Sequence, residues 1–371
     1  MPSRADTAPR LASLDVLRAV AVLLVLGRHV GPLGEGWNLV AEGVLRLWGR
    51  GGWIGVDLFF VLSGFLVSGL LFREYQRRGA VSLTRFLVRR GLKIYPAFYF
   101  FLALGALRIA VGQGLRALSV PALVCEALFV QNYGPALWWH TWSLAVEEHF
   151  YLGCALLVLF LTRRARGEKD PYRSIPVIFL AVAAASLAAR VVQGLAAPFT
   201  YATHLFPTHL RLDGLMFGVC LSYLHHFKPR TLASLAGGRE SALLGLGLAL
   251  LAPAFLFPVE STFLMYTLGL TGLYLGSGLL VLVLVERGLP DRRLIRALAF
   301  LGAYSYSIYL WHLMVRFLVE DGFRALLNRP PGSPLAVLTY LVGAPVVGIA
   351  MAKLVEFPVL RWRDRLFPSR S

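Results

Sequence analysis

Arg18 and His29 stand eleven residues apart in the segment LRAVAVLLVLGRHV, residues 17–30. At 3.6 residues per turn that spacing returns to nearly the same helix face, about 16 Å further along the axis. A fixed cation and a titratable base therefore share one face of an apolar segment, where ionisable groups are costly and default to a functional reading. Asp15, three residues before Arg18, lies close to that face. Snorkelling to a membrane surface accounts for Arg18 alone, and a hydrogen-bonded structural imidazole accounts for His29 alone. Neither accounts for the pair.

Further chemistry-bearing residues sit in five other apolar stretches. HTWSLAVEEHFYL, residues 140–152, carries Glu147 and Glu148. A carboxylate that orients an imidazole and stabilises its charged form is the ordinary partner of a catalytic histidine. Glu147, which faces the same way as Ser143, is the favoured partner of His29, with Glu148 left open. A metal site from His140, Glu147 and His149 matches no usual helical ligand spacing, so no metal is expected. GWIGVDLFFVLSGFLVSGL, residues 52–70, buries Asp57, an acid that needs a partner, while Ser63-Gly64 reads first as close helix packing.

RFLVRRGLKIYPAFYF, residues 85–100, clusters Arg89, Arg90 and Lys93 where a span is expected to begin, with Pro96 suited to a first turn. Such a cluster beside a helix start suits phosphate, although topology alone also accounts for it. PTHLRLDGLMFG, residues 207–218, puts His209, Arg211 and Asp213 at one edge, where a polar acceptor could arrive. AYSYSIYLWHL, residues 303–313, is an aromatic and hydroxyl stripe ending in Trp311-His312. Its tyrosines and tryptophan can equally be interfacial anchors. Ser143, Glu148, Arg211, Tyr309 and His312 are the candidate acceptor contacts.

The elements that must position these residues are membrane helices. The 371 residues are 57% hydrophobic and 15% charged, against about 25% charged in soluble domains, and the mean hydropathy is +0.65. Apolar runs of bilayer length predict an all-α polytopic membrane protein of about ten spans: 14–31, 52–72, 94–111, 142–161, 175–195, 208–226, 241–257, 262–285, 298–317 and 334–356. The net charge of +17 is distributed by side. One set of loops and ends, including Arg4 and Arg10, carries 25 Lys and Arg; the other carries Arg46, Arg50, Arg116, Arg324 and Arg329. That asymmetry predicts both termini in the cytoplasm and makes the basic charge topological rather than a nucleic-acid signal.

The stretch 118–133 is apolar but short and carries Glu126, so it reads as re-entrant or interfacial. Three cysteines, Cys125, Cys154 and Cys220, imply no disulfide framework. Without a small-residue cleavage site, the first apolar run reads as an uncleaved span. No repeat of 20 to 50 residues is visible, and residues 1–371 read as one transmembrane domain without an appended soluble one.

Together these motifs resemble the integral-membrane acyltransferase family 3, bacterial O-acyltransferases of cell-surface carbohydrates and related glycosides. The resemblance runs from LDVLRAV to LVEFPVLRW. It is carried by Arg-x10-His at Arg18 and His29, then GVDLFFVLSGFL, RRGLKIYP, WSLAVEEHFYL and SYSIYLWH in the family's order. Two departures stand out: the family's Arg-x-x-Arg is here Arg90 and Lys93, which keeps the charge but loses the bidentate fork, and Glu-Glu-Gln-Phe reads Glu-Glu-His-Phe at His149.

The resemblance implies an enzyme of the bacterial inner membrane that moves an acyl group, most often acetyl, from cytoplasmic acyl-CoA to a hydroxyl of a carbohydrate, lipid-linked sugar or glycoside outside. Arg18, Arg89, Arg90 and Lys93 would hold the donor nucleotide. His29 would act as general base or transient acyl carrier, with Glu147 and Asp57 completing the catalytic set. Many members append an external hydrolase-like domain. With none read here, the membrane core is expected to finish the transfer or pass the group to a separate periplasmic partner.

A proton- or ion-coupled transporter is the alternative, since intramembrane acids and histidines suit it on physics alone. Against it stand the lack of an internal repeat and the cytoplasmic basic cluster. A scaffold gives no reason for Arg18, His29, Asp57 and Glu147 together.

Overall fold

A computed structural model describes residues 4–165, 167–327 and 332–368, with side chains from residue 12 onward. Arg329 and the side chains of Arg4 and Arg10 lie outside the described residues. All regular structure among the described residues is helical: α1 (Arg4–Arg28), α2 (Leu39–Gly51), α3 (Gly55–Arg78), α4 (Leu83–Gln113), α5 (Val120–Ala127), α6 (Trp142–Arg164), α7 (Ile175–Ala196), α8 (Tyr201–His204), α9 (Leu212–Phe227), α10 (Pro229–Ala236), α11 (Glu240–Leu251), α12 (Pro253–Leu256), α13 (Leu270–Arg287), α14 (Arg293–Ala303), α15 (Ser305–Leu327), α16 (Pro334–Met351) and α17 (Phe357–Leu366).

Each of the ten expected spans falls on helix, but the count of complete spans is lower. Among the described residues six helical stretches are long and apolar enough to cross a bilayer, or up to eight if each of two bent pairs is one span. The protein is therefore a multi-pass helical membrane bundle, and ten straight crossings are more than it shows. The difference has local causes. α9 has 16 residues, roughly 24 Å of helix, short of a 30 Å hydrocarbon core. The expected span 298–317 straddles a 71° bend between α14 and α15.

The third expected span also changes shape. α4 is capped by Ser82, whose hydroxyl accepts from the Arg85 N–H, and runs unbroken from Leu83 to Gln113, so Pro96 lies inside the helix rather than in its first turn. Arg89, Arg90 and Lys93 consequently project from mid-helix. The positive end of a helix dipole, expected to help hold phosphate there, is a full three turns away from Lys93 in the other direction along the chain.

α5 occupies the segment expected to be re-entrant. Its Glu126 is buried and accepts from the Trp138 N–H at 2.6 Å and the Thr141 hydroxyl at 3.3 Å, tying α5 to the entrance of α6. α1, α3 and α9 form the centre of the bundle. Backbones approach closely where α3 meets α9: a Cβ at Gly64 would lie 1.9 Å from the Leu215 carbonyl oxygen, and one at Gly218 would lie 2.2 Å from that of Val61. The small residues expected at Ser63-Gly64 thus serve packing at Gly64, while Ser63 turns to a polar site.

Candidate functional site

Two cavities flank Val56 and Tyr309, which line both. The basic cavity, about 100 Å³, lies among α1, α3, α4, α6 and α15, and is lined by Arg18, Ser63, Arg90, Lys93, Glu147 and Glu356 among others. The aromatic cavity, about 470 Å³, is lined by His29, Trp53, Trp139, His140, Trp142 and Arg211 among others. The expected separation of Arg18 from His29 along α1 therefore separates two chambers. The Tyr309 hydroxyl stands between them, donating to the His140 carbonyl at 2.7 Å and accepting from the Ser143 hydroxyl at 2.6 Å.

In the basic cavity Arg18 pairs with Asp15 at 2.6 Å. Arg90 lies over the Tyr151 ring at 4.0 Å and donates to its hydroxyl, which in turn donates to Glu147. Ser63 also donates to Glu147, at 2.8 Å. Glu356, in the π-helical turn after α16, accepts from Ser307 at 2.8 Å. Arg18, Arg90 and Lys93 are thus brought to one cavity, whereas Arg89 turns away to Asp364, 3.1 Å, and to the Phe367 carbonyl. Glu148 accepts from the Tyr95 hydroxyl at 2.9 Å and lines a separate lateral groove between α4, α5 and α6.

The aromatic cavity contains the histidine. His29 closes the last turn of α1, its Nδ1 2.9 Å from the Val25 carbonyl, and its ring packs against Trp139 with centroids 5.0 Å apart. A carbonyl only accepts, so in the neutral ring the proton sits on Nδ1 and the lone pair on Nε2. That Nε2 is buried with no hydrogen-bond partner among the described residues. The group touching His29 from α15 is His312, its Nε2 3.1 Å from His29 Nδ1. Glu147, expected there, is instead held by Ser63 and Tyr151 on the other side of Tyr309. The reason is reach: the carboxylate lies on α6 one turn beyond Ser143, the residue that meets Tyr309.

Asp57 pairs with Arg211 at 2.8 Å, both almost fully buried, and the guanidinium lies 5.5 Å from the Phe60 ring and 5.6 Å from that of Trp142. Asp57 thus orients an arginine of the cavity wall and makes no hydrogen bond to His29. Beside it Arg190 pairs with Asp213 at 2.7 Å, with side chains 1% and 3% exposed. Arg190 escaped the sequence reading, although a lone arginine inside IPVIFLAVAAASLAARVVQGLA was the signal. Arg28 and Glu356 were likewise missed: Arg28 pairs with Glu260 at 2.9 Å and lines the aromatic cavity. Among the described residues no three His, Cys, Asp or Glu are grouped to hold a metal ion; His140 reaches the Leu310 carbonyl and His149 the Thr208 hydroxyl.

A bundle of membrane helices enclosing a histidine-lined chamber and a cationic chamber defines the class, and sequence comparison gives the family. The chain belongs to the membrane acyltransferase family whose acyltransferase-domain profile matches residues 11–353. A Staphylococcus aureus (strain COL) protein named provisionally as an O-acetyltransferase is 28% identical over 343 residues, covering 82% of this chain and 50% of the relative. O-acetyltransferase OatA of S. aureus strain NCTC 8325 is 27% identical over 336 residues, covering 84% of this chain and 51% of OatA. The chain spans about half the length of these curated relatives. No solved structure matches it.

Proposed function

We propose that this protein is an O-acyltransferase of the bacterial inner membrane, moving an acyl group, with acetyl the group proposed, from cytoplasmic acyl-CoA to a hydroxyl of a carbohydrate, lipid-linked sugar or glycoside outside. The observation that carries the reading is His29 in the wall of the aromatic cavity, its Nε2 without a hydrogen-bond partner among the described residues, next to a cationic chamber that shares Val56 and Tyr309 with it. The acetyl group itself is suggested by the printed names of the S. aureus relatives.

Arg18, Arg90 and Lys93 would hold the phosphates of the donor, and the pantetheine arm would pass Val56 and Tyr309 to bring the thioester to His29. The rise of about 16 Å from Arg18 to His29 is comparable to that arm. An acceptor hydroxyl in the aromatic cavity then loses its proton to His29 Nε2 as its oxygen attacks the thioester carbonyl. Collapse of the tetrahedral intermediate breaks the C–S bond, and the proton held on His29 passes to the departing CoA sulfur. An ester and free CoA result. Trp53, Trp139 and Trp142 offer the flat apolar faces on which a sugar ring packs.

The test is CoA release by the purified protein in proteoliposomes, with acetyl-CoA supplied at one face and extracted cell-surface glycan at the other. Release that requires the glycan, with an acetyl ester found on it by mass spectrometry, is expected. Failure to bind acetyl-CoA in direct titration, together with no release, would overturn the proposal.

A further inference from the structure

The partner that a basic histidine requires is another histidine. The His312 Nδ1 faces the Tyr309 carbonyl, and since a carbonyl only accepts, the neutral His312 ring carries its proton on Nδ1 and its lone pair on Nε2. His29 is fixed in the same tautomer by Val25. The 3.1 Å contact between His312 Nε2 and His29 Nδ1 therefore has one consistent direction: His29 donates, shared with the Val25 carbonyl, and His312 accepts. The two rings tilt by 49° with centroids 4.8 Å apart, and Trp139 closes the other side of His29. Both imidazoles are buried, His312 completely.

We infer that His312 is the positioning residue for His29, accepting its Nδ1–H alongside the Val25 carbonyl and holding the ring with Nε2 as its unpartnered nitrogen. This rests on the acyltransferase reading above and replaces the substrate contact expected of His312 from sequence. When Nε2 takes the acceptor's proton, the positive charge spreads to Nδ1–H, and a neutral lone pair already aimed at that hydrogen strengthens its bond as charge develops. A carboxylate would hold the imidazolium more tightly. A neutral imidazole holds it while leaving the proton free to pass on to the CoA sulfur. Among the described residues the other charged or titratable groups facing the pair are Arg28 on α1, Arg316 and Tyr309 on α15 and His140 before α6. None supplies a carboxylate, so the orienting lone pair comes from His312.

The experiment compares His312→Phe with His312→Gln in the full-length protein reconstituted in nanodiscs. Gln can present its amide oxygen near the place of Nε2 and accept; Phe keeps the ring volume and accepts nothing. His312→Phe is expected to lower kcat about 10- to 100-fold, the scale seen when the partner that orients a metal-bound imidazole is removed, with KM for acetyl-CoA unchanged. His312→Gln is expected to recover most of the loss. Equal impairment of the two variants, or full activity of His312→Phe, would overturn the inference.

Should His312→Phe fail to fold, ¹⁵N spectra of the wild-type protein decide, with the His29 ring identified by loss of its signals in His29→Ala. A protonated His29 Nδ1 opposite a proton-free His312 Nε2 supports the assignment, and a proton on His312 Nε2, assigned by loss of its signal in His312→Gln, overturns it. Because the spectra need no turnover, a failed tautomer and a failed acyltransferase reading are told apart.

Discussion

The basic and aromatic cavities meet at Tyr309, yet they handle charge in opposite ways. In the basic cavity, Arg18, Arg90 and Lys93 face Glu147 and Glu356, so cations and carboxylates share one small space. Among the described residues no carboxylate lines the aromatic cavity: the acids that balance Arg211 and Arg28, Asp57 and Glu260, stand behind them. The first arrangement gives strong but adjustable electrostatics, suited to an anion that enters and leaves. The second leaves a low-dielectric chamber in which a neutral imidazole stays a base and its hydrogen bonds count for more. Glu147, the acid expected from sequence to orient His29, belongs to the other chamber.

The most severe way to break the contrast is to strand the charges behind the aromatic wall. Arg190→Met leaves Asp213 buried without its partner, and Arg211→Met does the same to Asp57. Each is expected to cost about 3–5 kcal/mol, measured as lost folded yield and a lower melting temperature in detergent, with Arg211→Met/Asp57→Asn recovering part of the loss. A smaller structural effect is expected from Gly218→Ala. Its Cβ would meet the Val61 carbonyl oxygen, and overpacking of this kind costs about 1–3 kcal/mol.

The basic cavity predicts effects on donor binding. Lys93→Ala is expected to raise KM for acetyl-CoA about tenfold, consistent with losing a charged hydrogen bond of 1.5–3 kcal/mol, and to flatten the dependence of KM on salt. Glu147→Gln sharpens the comparison further. Were Glu147 the partner of His29 it would slow kcat; held as it is by Ser63 and Tyr151, it is expected to shift KM and leave kcat nearly unchanged.

The smallest effect lies at the rim. Burial alone would raise the Glu260 carboxyl, but hydrogen bonds from Tyr201 and Arg28 outweigh it and hold the group below its ordinary 4.5. A carboxyl lowered in the folded state contributes stability above its unfolded value, and that contribution is lost as pH falls through the folded value. Wild type is therefore expected to lose a small stability advantage over Glu260→Gln between about pH 4.5 and lower pH, read from melting temperatures across that window.

Much of this arrangement is legible in the sequence, and what is not has physical reasons. Helical spacing alone sets Arg18, in the middle of α1, and His29, just past its last residue, on one face, and the structure puts a chamber beside each. Hydropathy places every helix that carries the site, but it is blind to breaks: the bend at Tyr304 and the continuation of α4 through Pro96 depend on packing across helices. Pairings between helices are the least legible. Asp57 asked for a partner, and Arg211 was in view, but no period links residue 57 to residue 211. His312 looked like the end of an interfacial stripe because its partner lies 283 residues away. Arg190 was overlooked for a simpler reason: a single charge hardly alters the apolar character of its helix.

His29 is the residue on which the proposed transfer depends. The direct measurement is single-turnover acetyl transfer by wild type and His29→Ala, with acetyl-CoA affinity determined for both by titration. Unchanged donor affinity is expected, with a loss of about 10²–10⁴-fold in the transfer rate, the range for removing a general base. Transfer by His29→Ala at the wild-type rate, with donor bound equally well, would contradict it.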